Sequence, residues 1–391
     1  MQPRRDFRLI HRYHQSGQAE ILSEFRDYPG PLDLSFKYSI AHMYSIPNPP
    51  FIQELLLNLP ADKRTWLTVR NDDIYSFRWG DPAYARDYIR NIPGRDKVAG
   101  FYMGPDGYTW GREFLSTEPD SPRQLVISKQ WYSFQLWGRL SYEPDLPDSL
   151  FIGTLAARYP RADSAKLFRA WADASQVFPL ITRFFWGDID LRWFPEACLS
   201  HPRYHGYYTV RDFIEGDTMP GSGVMRVLDW QRTALAGGKT VGTTPLQIAA
   251  QLEESAGRAL KALPSLRAST PDKELRLTLG DMEAMSELAR YYAAKIRGAA
   301  ALALYDRSSD ESRKRQALRY LQTAAEHWRS YARVYTAQYT QPHLYNRVGF
   351  VDIPALTAKA LEDVEIARQW KPGTIVDEKA KRRSADQPFR K

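Results

Sequence analysis

The stretch WLTVRNDDIYSFRWGDPAYARDYIRNIPGRDKVAGFYM, residues 66–103, decides the fold class. Trp66 to Val69 has strand composition and runs into the polar segment Arg70-Asn-Asp72-Asp73. Pro82 to Ile92 then has helical spacing, and Pro82 suits a first helical turn, where its missing N–H costs nothing. Val98 to Met103 returns to strand. A strand, a helix and a second strand in this order form a βαβ unit, the building block of a parallel sheet.

The same alternation extends outward. Upstream, Phe7 to Tyr13 and Leu34 to Ser39 are strand candidates, each followed by a helical segment, Gln18 to Arg26 and Phe51 to Leu59. Downstream, Gln124 to Leu140 sets Ile127, Trp131, Phe134 and Trp137 at helical spacing. Four βα units are therefore expected, whereas a complete eight-unit barrel takes roughly 250 residues. Residues 1–144 read as an open parallel sheet or as the C-terminal half of a (β/α)8 TIM-type barrel, an α/β class.

Past residue 145 the β signal fades. Leu150 to Arg158 and Ala165 to Phe178 have helical spacing, and Thr244-Pro-Leu-Gln247 opens a helix with a capping box. Met285, Leu288, Tyr292, Ile296 and Ala299 form one helical stripe, and Leu321, Ala325, Trp328, Ala332, Tyr335 and Tyr339 form another. A last helix, capped by Asp352, is expected to reach Gln369. Residues 145–370 are therefore read as an all-α C-terminal domain, with these stripes as core.

Composition narrows the function. Apolar residues at 43% and charged residues at 26% are globular values that exclude wholesale disorder. No apolar run reaches the ~20 residues of a membrane span. The start, Met1-Gln-Pro-Arg-Arg-Asp-Phe7, lacks a signal-peptide stretch, so a natural start at Met1 implies a cytoplasmic protein. The single Cys198 excludes an internal disulfide and a multi-cysteine metal site, and its apolar surroundings predict burial. Of the net charge of +8, half comes from Lys371 to Lys391, where seven Lys/Arg meet three Asp/Glu; residues 371–391 read as a solvated basic tail. No groove-reading motif accompanies the charge, so nucleic acid is not an expected partner. No Rossmann fingerprint or Gly-x-Ser-x-Gly elbow occurs, and Gly237-Gly-Lys-Thr-Val-Gly242 lacks the Walker spacing, so no cofactor is expected.

In parallel α/β proteins ligands bind outside the carboxyl ends of the strands. The residues following the four strands are His11 and His14; Lys37 and His42; Arg70, Asp72 and Asp73; and Gly104-Pro-Asp106-Gly-Tyr-Thr-Trp110-Gly-Arg-Glu113. All four ends carry polar or titratable groups beside aromatic residues, which points to a functional cleft. Paired carboxylates suit acid–base work, because a like charge raises one pKa, although Asp72-Asp73 would equally cap a loop. Gly-Pro-Asp106-Gly is a turn by its chemistry alone. His11 and His14 would face opposite ways on a strand and lack an obvious third ligand, so no metal site is expected.

With its segments in this order, the chain resembles the α-glucuronidases of glycoside hydrolase family 67 from the middle of their barrel onward. Phe7-Arg8-Leu-Ile is similar to their Trp-Arg-Ala-Phe-Val strand, and Phe36-Lys37-Tyr-Ser-Ile-Ala-His42 to Val-Lys-Asn-Gly-Pro-Ile-Asp. Leu67-Thr-Val-Arg-Asn-Asp72 stands where the family has Leu-Gln-Ile-Thr-Gln-Glu. Trp137-Gly-Arg-Leu140, with Pro144 and Leu146, resembles Gly-Arg-Leu-Ala-Trp-Asn-Pro, and Phe194-Pro-Glu196-Ala-Cys198-Leu resembles Tyr-Glu-Ala-Cys-Val.

The resemblance implies that Arg8 and Lys37 touch the sugar, with the guanidinium gripping a uronate carboxylate. It implies that Asp72 stands for one of two carboxylates that activate water in an inverting mechanism. The family's second such Asp falls at His42. Its general-acid Glu lies on an earlier strand, before this chain begins. The acid is then Asp106 or Glu113, or sits upstream, or the chain does not hydrolyse anything. His11, Asp73 and Trp110 complete the expected sugar-facing set. The first expectation is a glycosidase acting on uronate-bearing polysaccharide. The alternative is a carbohydrate-binding protein with a degenerate cleft, and a third is a scaffold built on the helical domain.

Overall fold

The computed structural model describes residues 7–12, 17–37, 43–70, 73–104, 111–187, 191–268, 272–345 and 347–376. Its first part is a four-stranded, all-parallel sheet in the order β1 (Leu9–Arg12), β2 (Leu32–Lys37), β3 (Thr65–Arg70), β4 (Val98–Gly104). Between the strands lie α1 (Gln18–Glu24), α2 (Gln53–Leu57) and α3 (Pro82–Arg90). Asp81 caps α3 by accepting from the N–H groups of Ala83 and Tyr84. The alternation expected from residues 66–103 is thus present, and both ends of every strand fall within about two residues of their expected bounds.

Strand alternation sorts the sheet into two unlike faces. Leu34, Phe36 and Leu67 point into the helix-covered core and are wholly buried. Phe101 on β4 stacks on Trp137, which stacks in turn on Trp79, at ring separations of 5.9 and 6.0 Å. The opposite face is polar: Arg12 donates to Thr68 Oγ1 at 2.7 Å, and Ser35 shares a hydrogen bond with Thr68 at 2.9 Å. Ile10 (45%) and Tyr102 (57%) are exposed on that same face. A parallel sheet ordinarily buries both faces, so this polar, open side is the unusual feature of the fold. Trp66 lies flat over Gly100, where any side chain would collide with the indole: an added Cβ would sit 2.1 Å from the ring.

The chain continues through α4 (Val126–Lys129), α5 (Trp131–Tyr142), α6 (Asp148–Arg158), α7 (Ser164–Ser175), α8 (Val177–Phe184), α9 (Val210–Glu215) and α10 (Val227–Leu235). The long helices follow: α11 (Pro245–Ala268), α12 (Lys273–Ser308), α13 (Glu311–Gln338) and α14 (Thr357–Gln369). Thr244 and Gln247 form the expected capping box, with reciprocal bonds of 2.8 and 3.2 Å. Asp352 instead caps the turn before α14, accepting from Ala355 N–H. At 36 residues, α12 is about 54 Å long and buried nearly all round, which marks it as the central helix. Two residues separate it from α13, so the pair is an antiparallel hairpin.

One expectation is corrected here. Residues 145–370 are not wholly helical, because β5 (His343–Tyr345) and β6 (Gly349–Val351) form an antiparallel hairpin. Three-residue strands are too short to leave a periodic signal. One hydrophobic core joins the sheet's helices to the helical body without a break at residue 145. Among the described residues, no helix is long and apolar enough to cross a membrane.

Candidate active site

The carboxyl ends of the four strands converge on one edge of the sheet. His14, His42, Asp72, Asp106 and Trp110 lie outside the described residues. Lys37 is the last residue of β2, paired in register with Thr68.

Three expected site residues are held elsewhere. Arg8 precedes β1, at the amino end of the sheet, because Leu9 pairs with Leu32 at the very start of both strands. There it bonds Asp33 at 3.0 Å, an oxygen that also accepts from the Trp66 indole at 2.9 Å. His11 faces away from the polar side and tilts against Phe25, with ring centroids 5.4 Å apart. Asp73 is buried and accepts from Tyr44 N–H at 3.2 Å, where it holds the start of the segment after β2.

Glu113, one of the expected acids, is also corrected. It is buried, accepts from the N–H groups of Leu115 and Ser116 at 2.8 and 2.9 Å, and faces Lys129 at 3.8 Å. It lines a small polar cavity with Arg78, Lys129, Gln338 and Tyr339, where the segments after β3 and β4 meet α12 and α13. Burial, with Arg78 nearby, pushes the Lys129 ammonium down to about 8. These partners tie the Glu113 carboxylate to the backbone at Leu115 and Ser116 and to the Lys129 ammonium.

Sequence reasoning passed over Arg12. It ends β1 on the polar face and reaches across β2 to Thr68, with its guanidinium exposed. Tyr102 lies exposed on the same face, and Trp66 shares that face with its indole bonded to Asp33. The available signal was strand parity: with β1 beginning at Leu9, Arg12 shares a face with Ile10 and Arg8, not with His11.

The segment after β3 is built to be rigid. Residues 73–82 are buried at every position, a costly place for a loop unless each backbone polar group finds a partner. Glu196 Oε1 accepts from the N–H groups of Tyr75 and Ser76, each at 2.9 Å, and its Oε2 accepts from Tyr345 OH at 3.0 Å. Burial raises the Glu196 carboxyl and these donors oppose the shift. Asp281 on α12 accepts from Arg78 N–H at 3.0 Å and Arg78 Nη1 at 2.7 Å. The other Asp281 oxygen accepts from Gln338 and Tyr339 at 2.8 and 2.6 Å. Ser175 Oγ accepts from Gly80 N–H, and the Trp171 indole donates to Arg78 C=O. The helical body therefore fixes the chain immediately after Asp72 through partners about 100 to 260 residues away.

Cys198 is buried as expected. Its thiol is pushed up by burial and lies 3.5 Å from Tyr291 OH and 3.9 Å from Lys295 Nζ. Lys295 is itself wholly buried, pairs with Asp363 at 2.7 Å and donates to Tyr208 C=O at 2.6 Å, tying α14 to α12. This cluster reads as a core pin. Among the described residues no group of His, Cys, Asp and Glu could hold a metal ion.

No protein-family model and no curated protein matches the chain. Among solved structures, the fold is similar to that of a GH138 enzyme targeting pectin rhamnogalacturonan II, with a TM-score of 0.76 and 14% identity. The superposition covers 94% of this chain and 46% of that one, so the chain spans less than half the length of that enzyme. At this identity the likeness concerns the fold: a parallel sheet followed by a helical body, on a scaffold that a glycoside hydrolase also uses, and of another family than the α-glucuronidases.

Proposed function

We propose that the sheet is part of a (β/α) barrel and that its carboxyl edge is the sugar cleft of a glycosidase-like protein acting on uronate-bearing polysaccharide. The observation that carries this reading is the polar open face ending in Arg12, with the exposed Tyr102 on the same face, on a fold shared over 94% of the chain with a glycoside hydrolase. Flat aromatic rings suit the apolar faces of sugars, and an exposed guanidinium suits a carboxylate. In this reading Arg12, with Lys37, takes the uronate-binding part first expected of Arg8.

Asp72 serves as the water-activating base, with His42 as the second water-activating group. An inverting mechanism needs the acid about 6.5–9.5 Å from the base. With Glu113 enclosed, the proton donor is Asp106 or a carboxyl supplied from outside these 391 residues. The rigid loop at 73–82 would hold Asp72 in place, which makes Glu196 and Asp281 positioning residues. Pectic and glucuronoxylan-type oligosaccharides are the substrates to assay, with Asp72→Asn as the diagnostic variant. Turnover that survives unchanged in Asp72→Asn removes Asp72 from the mechanism.

The burial of Glu113 favours one second reading, a carbohydrate-binding protein without its acid. It predicts calorimetric binding of acidic oligosaccharide that persists in Asp72→Asn, is lost in Arg12→Met, and is accompanied by no product.

A further inference from the structure

We propose that the outer face of α13 binds an acidic polysaccharide chain, as an accessory surface distinct from the strand ends. Arg315, Arg319, Arg329 and Arg333 are all exposed. Their spacing of four, ten and four residues puts them within an arc of about 80° on the helix. The stripe runs about 27 Å along the axis. Ala317, Leu321, Ala324, Trp328, Tyr331 and Tyr335 occupy the opposite side and are buried, so the arginines face solvent squarely.

Among the described residues none of the four makes an ion pair, and Glu326 is the one acid on the stripe. Several arginines elsewhere on the helical body are paired, Arg158 with Glu274, Arg258 with Asp173, Arg267 with Glu283, Arg276 with Glu118 and Arg297 with Glu253, whereas α13 gathers four without an ion pair on one face. On α13 the like charges at 315/319 and 329/333 sit four residues apart, a spacing at which their repulsion weakens a helix. A linear row of unpaired guanidiniums complements a linear row of carboxylates. Gln322 and Thr323 are exposed on the same side and offer partners for hydroxyl groups. The stripe has no large apolar residue, unlike the centre of a protein–protein interface.

The choice of a uronate polymer as occupant rests on the function proposed above, and the test separates the two. Binding of fluorescent polygalacturonate to the full chain is measured by anisotropy at low and raised salt, beside a neutral xylan. The comparison is the quadruple variant Arg315→Gln, Arg319→Gln, Arg329→Gln, Arg333→Gln, which keeps good helix formers at each position. The expected result is at least about tenfold weaker binding in the variant and a flatter salt dependence, with unchanged turnover of short oligosaccharides. Wild-type affinity in the variant, absence of polymer binding by the parent, or tighter arginine-dependent binding of duplex DNA would each overturn the proposal. Arginine-dependent polymer binding without any turnover supports this surface and counts against the glycosidase. Turnover with arginine-independent polymer binding does the reverse.

Discussion

Replacing Arg78 by Met should cost this protein about 3–5 kcal/mol of stability. The side chain is 5% exposed and its partner Asp281 is 0% exposed, at 2.7 Å. Removing the guanidinium leaves Asp281 charged in the interior with three remaining donors, Arg78 N–H, Gln338 and Tyr339. Those donors set the expectation toward the lower end of the range, about 3 kcal/mol. A domain is held by only about 5–15 kcal/mol, so the loss is a large share of the total. Chemical denaturation followed by tryptophan fluorescence measures it directly, and the midpoint should fall while the slope is retained. Because Arg78 belongs to the loop anchored on α12, amide exchange at Tyr75 and Ser76 should also accelerate. A loss below about 1 kcal/mol would refute the reasoning, since it would mean that the Asp281 carboxylate is solvated or protonated without its partner.

Three further outcomes follow from the same core. His343 is pushed down to about 4 by burial against an ordinary 6.5, so the folded chain holds it neutral while the unfolded chain protonates it. Its contribution is complete above pH 6.5 and is lost as pH falls toward 4, by at most about 3 kcal/mol; thermal melts of His343→Gln should show a flatter acid limb than the parent. Gly100→Val should expel the Trp66 indole from its seat and cost roughly 1–3 kcal/mol, and an unchanged melting temperature with unshifted Trp66 fluorescence would contradict the close approach. Glu196→Gln, which keeps one acceptor oxygen for donors that now use two, should cost roughly 1–3 kcal/mol and open the 73–82 loop to proteolysis before the rest of the chain.

Local chemistry by itself determined the elements. Alternating β-branched and aromatic runs marked four strands, Pro82 and the Thr244–Gln247 box marked helix starts, and stripes at 285–299 and 321–339 marked the two longest helices. These features depend on neighbours a few residues apart, so the sequence displays them directly. The polar character of the strand ends was legible for the same reason.

Only the tertiary structure decided what those polar groups do. The register Leu9↔Leu32 leaves Arg8 at the amino end of the sheet and puts Arg12 at the carboxyl end of β1. Asp73, expected to face the sugar, and Glu113, expected as an acid, are both buried and accept from loop N–H groups. Glu196 stands out only as part of the 194–199 motif and Asp281 not at all, yet they hold the loop after β3 across separations of 120 and 203 residues. Burying nine consecutive residues ahead of α3 demands partners for their backbone polar groups, and only the folded chain brings those partners within reach.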